Sequence, residues 1–87
     1  MGDFELFFVR DKEKREVDFL IVRDGSPWIL IECKSKGVAV GKHLDYFSKQ
    51  LKTKYNYQLI DQKKTHKKLP LRNIEIMDYE TFFSGWV

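Results

Sequence analysis

Hydrophobic and polar positions along the chain fall into short runs with two different periods. Phe4 to Arg10 is rich in aromatic and β-branched residues and predicts a strand. Asp11-Lys12-Glu13-Lys14-Arg15 predicts a charged turn. Glu16 to Val22 predicts a second strand. Arg23-Asp24-Gly25-Ser26-Pro27 carries Asp-Gly and Pro turn signals. Trp28 to Lys34 predicts a third strand. From Gly41 to about Lys54 the period lengthens: Leu44, Phe47, Leu51 and Tyr55 recur at spacings of three and four, the apolar stripe of a helix. Tyr57 to Ile60 predicts a fourth strand and Ile74 to Met77 a short last one. Asp61 to Pro70 reads as a mobile basic loop. Asp78 is placed to cap a final turn holding Tyr79, Phe82 and Phe83. The fold class is α/β: a small mixed β-sheet, β-β-β-α-β-β, with one main helix and a possible terminal turn.

Two of these runs carry charges that buried strands ordinarily exclude. Asp18 interrupts Val17 to Val22, and Glu32 and Lys34 end the run from Trp28. A buried carboxylate costs several kcal/mol unless it is paired or metal-bound, so a charge in such a place needs a partner. Hairpin geometry says where the partners lie. Opposed residues share a face, and Val17, Phe19 and Ile21 match Ile29, Ile31 and Cys33 only if paired numbers have an even sum. A three- or five-residue loop centred on Gly25 gives 50. That register sets Asp18 opposite Glu32 and Glu16 opposite Lys34, with opposed Cβ atoms about 5 Å apart. Two carboxylates so placed raise one another's pKa unless a cation lies between them. Mg²⁺ typically uses one or two carboxylates and keeps several waters. The even face is apolar nearer the turn, at Leu20, Val22, Trp28 and Leu30, which gathers the charges at the open end of the hairpin. An ion-pair ladder is the alternative reading.

Composition adjusts this picture in three ways. Eighty-seven residues, 43% hydrophobic and 15% aromatic, suit one globular domain, 1–87, with a small core. No apolar run approaches the length of a membrane span, and no signal-peptide pattern is present, so the expectation is no membrane and a cytoplasmic location. The single cysteine excludes an intrachain disulfide and an all-cysteine zinc site. The net charge of +3 hides an asymmetry: residues 1–32 hold five basic and eight acidic residues, and residues 33–87 hold eleven and five. An acidic cluster in a chain with a basic second half suits a metal site facing a polyanion. Lys36, Lys42, Lys49, Lys63, Lys64, Lys67 and Lys68 are the candidates for contacts to a nucleic-acid backbone, DNA above all. His43 and His66 are not spaced as zinc ligands and read as solvated or phosphate-contacting. Cys33 faces away from the charged cluster and reads as a small core hydrophobe.

Asp18, thirteen intervening residues and then Glu32-Cys33-Lys34 resemble the motif of the PD-(D/E)XK nuclease superfamily, which has the restriction-endonuclease-like fold. Phe8-Val9-Arg10-Asp11, Arg15 to Ile21 and Ile31 to Ser35 further resemble the C-terminal domain of unknown function that follows the ATPase domain in many prokaryotic AAA-type proteins. The resemblance implies metal-dependent phosphodiester hydrolysis. Asp18 and Glu32 would hold Mg²⁺ or Mn²⁺ with the Cys33 carbonyl, Lys34 would stabilise developing charge, and Glu16 would be an accessory group. The superfamily usually has a helix before its first strand. Here only Met1 to Asp3 precede that strand, so the expected core is a truncated one without the N-terminal helix. An uncovered sheet face would then invite a second copy or a parent ATPase domain. A catalytically silent accessory or assembly domain is the competing function.

Overall fold

A computed structural model gives the structure, described here for residues 2–35, 39–62 and 64–85. The chain forms β1 (Phe4–Arg10), β2 (Glu16–Arg23), β3 (Ser26–Lys34), α1 (Lys42–Leu51), β4 (Tyr55–Ile60), β5 (His66–Leu69), β6 (Ile74–Asp78) and α2 (Tyr79–Ser84). All six strands join one mixed sheet in the order β1-β2-β3-β4-β6-β5. β1-β2, β2-β3 and β5-β6 are antiparallel, and β3-β4 and β4-β6 are parallel. α1 provides the crossover from β3 to β4 that a parallel pair requires. The α/β class, the mixed sheet and the single main helix are as the sequence predicts.

The two faces of the sheet carry separate cores. Leu44 and Phe47 of α1 pack on Val17, Leu20, Leu30 and Ile74. Phe82 of α2 packs on Ile29, Ile31 and Leu59 on the opposite face, with Cys33, Met77 and Tyr79 at the margin. Asp78 caps α2 as expected, its side chain accepting from Thr81 N. It also accepts the Thr65 N–H at 2.9 Å, which fixes the approach to β5. These bonds keep the 1%-exposed carboxylate ionised: the Thr81 side chain and backbone, then the Thr65 backbone, lower its pKa to about 2.

Four expectations need correction. The hairpin loop is two residues, Asp24-Gly25, with both at positive φ and Arg23 facing Ser26. Trp28 is an extra residue on β3, and this bulge restores the sum of 50 at Ile21–Ile29, Leu20–Leu30 and Phe19–Ile31. The bulge also moves Trp28 off the α1 face to the other core. A second irregularity puts Asp18 and Phe19 of β2 against one β1 residue, since Phe7 pairs Leu20 and Val9 pairs Val17. Val17 thereby turns from the Phe19 face to the α1 core. Third, Tyr55 lies in β4, not on the helix. Lys52 at φ 53 closes α1, and buried Asn56 ties Thr53 to Asn73 by donating to both carbonyls, at 3.3 and 2.9 Å. Last, the basic segment read as a loop contains β5. A strand of His66, Lys67, Lys68 and Leu69 is possible because it is an edge, where charged side chains reach water and discourage further pairing.

Candidate functional site

The irregularity in β2 places Asp18 where β2 and β3 part. Their ladder runs from the turn to Phe19–Ile31 and no further. Beyond it, Asp18 Oδ2 accepts the Cys33 N–H at 2.8 Å, taking the position of the next interstrand bond. Bulges commonly re-aim a side chain in this way beside functional sites. Two residues from Leu30 on the same strand, Glu32 projects to the α1 side and lies against Gly41. An added Cβ on Gly41 would collide with Glu32 Oε2 and stand 3.4 Å from Lys34 Cε. The glycine is needed for this close approach, since its own backbone, φ −65 and ψ 130, suits any residue.

Glu32 is the electrostatic outlier. Its Oε2 is buried and has no hydrogen-bond partner among the described residues. Burial raises its pKa, and the Asp18 carboxylate adds to this, against the opposing influence of Lys34 and His43. Lys34 Nζ reaches the Ala39 carbonyl at 3.4 Å. Gln58, wholly buried beside Glu32 in the β3-β4 register, holds the same segment twice. It accepts the Gly41 N–H and donates to the Ala39 carbonyl, each at 2.8 Å. Asp18, Glu32 and Lys34 therefore share one end of the sheet, walled by residues 39–41 and the start of α1.

Several sequence candidates lie elsewhere. Glu16 pairs across β1 with Arg10, at 3.4 Å, and not with Lys34. The bulge at Asp18 shifts its register. Its contribution near the site is a backbone N–H donated to His43 Nδ1 at 3.3 Å. Cys33 is on the other face, where burial pushes its thiol up in pKa and a Tyr79 hydrogen bond only partly offsets that. Lys49 pairs with Asp45 at 3.1 Å on the helix surface. Lys64 precedes β5, and Lys67 and Lys68 lie on it, three strand spacings or about 14 Å laterally from β3. His66 pairs with Glu75 at 2.8 Å. Lys42 opens α1 beside the site. Lys36 and Lys63 lie outside the described residues. Gln58 and Gly41 escape a sequence reading, although a glutamine inside an otherwise strand-like run is itself a signal of buried polar duty.

The donor set suits one kind of ion. Among the described residues no three His, Cys, Asp and Glu side chains converge as a metal-ligating group. Two carboxylates, one with a buried unpartnered oxygen, match a hard cation that retains waters and do not match a zinc-type site.

Fold and site together define a small mixed-sheet α/β domain with an acidic-lysine cluster at the open end of its hairpin. Residues 2–82 match the family described as a domain of unknown function, DUF4143, and the chain belongs to that family. No curated protein and no solved structure matches it. Among the described residues no helix is long and apolar enough to cross a membrane.

Proposed function

We propose that this domain is nuclease-like and hydrolyses phosphodiester bonds of nucleic acid with a bound divalent cation. The observation that carries the reading is the unpartnered, buried Glu32 Oε2 beside Asp18 and Lys34. Such an oxygen is costly to keep unless something binds it. Asp18 and Glu32, with the Cys33 carbonyl, would hold Mg²⁺ or Mn²⁺. The ion when bound lowers the pKa of a water and offsets phosphate charge. Lys34 stabilises the negative charge that grows on the phosphoryl oxygens as the water oxygen bonds to phosphorus and the bond to the leaving sugar oxygen breaks. Gln58 fixes residues 39–41, and so the wall that sets Glu32 and Lys34 in place.

The test is cleavage of single- and double-stranded DNA and RNA with Mn²⁺. Wild type should cut at least one form, and Asp18→Asn and Lys34→Ala should each reduce the rate by a hundredfold or more with the fold retained (roughly 10²–10³ is common for losing one charge-stabilising group). No cleavage of any form by wild type contradicts the proposal. It would favour the second reading, a silent accessory or assembly domain, for which a different observation speaks. Phe4, Leu6, Phe8 and Phe19, on β1 and β2, are 41–66% exposed. α2 packs on β4 and β6 and leaves them open. Such a patch is characteristic of an interaction surface, for another copy or an ATPase domain.

A further inference from the structure

Beside the carboxylates lies a cleft of about 430 Å³ lined by Arg15, Lys42, His43, Tyr46 and Glu13. Arg15 and His43 are held in place with donors to spare. Arg15 Nε donates to Asp11 Oδ2 at 2.7 Å, and Nη2 donates to Tyr46 Oη at 3.1 Å. The guanidinium also lies 3.7 Å from the centre of the Tyr46 ring. A guanidinium has five N–H donors, so three have no hydrogen bond among the described residues. Glu13 Oε2, at 3.6 Å on a side chain 74% exposed, is a loose rim contact. His43 Nδ1 accepts from Glu16 N, which puts the proton of the neutral ring on Nε2, a donor with no partner among the described residues. Lys42 makes no ion pair there either. Rigid Arg, a positioned His and an unpaired Lys around one cleft are the elements of an oxyanion site. The cleft neighbours the carboxylate cluster along the chain: Gly41 lies against Glu32, and His43 is two residues further on.

We propose that Arg15, Lys42 and His43 bind a phosphate group, the backbone phosphate next to the one held at Asp18, Glu32 and Lys34. The second part rests on the proposed function. The cleft would then fix the strand's position and contribute nothing to bond breaking, so these three are positioning residues.

The experiment is binding of a short oligonucleotide to the metal-free protein, followed by nitrogen-15 NMR and repeated across salt concentrations. Signals of Arg15 Nε and of the Lys42 and His43 backbone should shift on binding. Lys42→Ala should lower the slope of log K against log salt by about one, and His43→Gln should weaken binding several-fold. Lys49→Ala, on the same helix but paired with Asp45, should match wild type. An equal loss in Lys49→Ala, or shifts confined to other residues, overturns the site. Inorganic phosphate that binds as tightly as the oligonucleotide overturns its assignment to a strand's backbone. Metal uptake by the protein alone reports on the carboxylates, so failure there is separate from failure here.

Discussion

Single residues in this protein show opposite ways of holding a buried carboxylate. Asp78 is fully satisfied by Thr81 and Thr65, and its pKa falls to about 2. Its contribution to stability is therefore complete above the unfolded-state value near 3.8 and is lost as pH falls toward 2. Thermal melts of wild type and Asp78→Asn should differ most at neutral pH, with wild type more stable, and converge between pH 4 and 2. A constant difference across that window would show that the ionised carboxylate is not what stabilises the turn. Glu32 has the reverse character: burial raises its pKa and one oxygen lacks a partner among the described residues. A carboxylate so placed is a candidate functional position.

At the scale of elements, what matters is how irregularities aim side chains. Patterning located the strands, the main helix and the Asp78 cap because each follows from local periodicity or a local hydrogen bond. The even parity of the register was legible as well, since only an even sum keeps Phe19 and Ile21 facing Ile31 and Ile29, but the three- or five-residue loop expected to give 50 is instead a two-residue turn with a bulge. The bulges at Trp28 and Asp18 were not legible. Each depends on pairing with a neighbouring strand, and each flips the residues on one side of it. Hence Val17 changed face and Glu16 found Arg10 instead of Lys34. The role of Gly41 was hidden for a similar reason, because it arises from contact with a residue nine positions earlier. Gly41→Ala tests it. The new Cβ meets the end of the flexible Glu32 side chain, so Tm should change little, by less than about 1 kcal/mol in stability. Mn²⁺ affinity should fall by tenfold or more as the carboxylate is displaced. Unchanged affinity would mean that the carboxylate's observed position is not needed.

Across the whole molecule, the candidate site and the exposed apolar patch occupy different parts of the sheet. The carboxylate-lysine cluster and the basic cleft lie at the start of α1. The exposed Phe4, Leu6, Phe8 and Phe19 lie on β1 and β2, and the basic edge strand β5 is at the far side of the sheet. The sequence's charge asymmetry suggested a metal site facing a polyanion, with the lysines of the second half as its contacts. The fold instead sends Lys67 and Lys68 away and leaves Lys42 near the site, joined there by Arg15 from the acidic half of the chain.

Calorimetric titration of the metal-free domain with Mn²⁺, on wild type and Glu32→Ala, addresses the central claim most directly. Saturable uptake of one ion by wild type, abolished in a folded Glu32→Ala variant, is the predicted result. No uptake by wild type, or equal uptake by the variant, would contradict a cation site at Asp18 and Glu32.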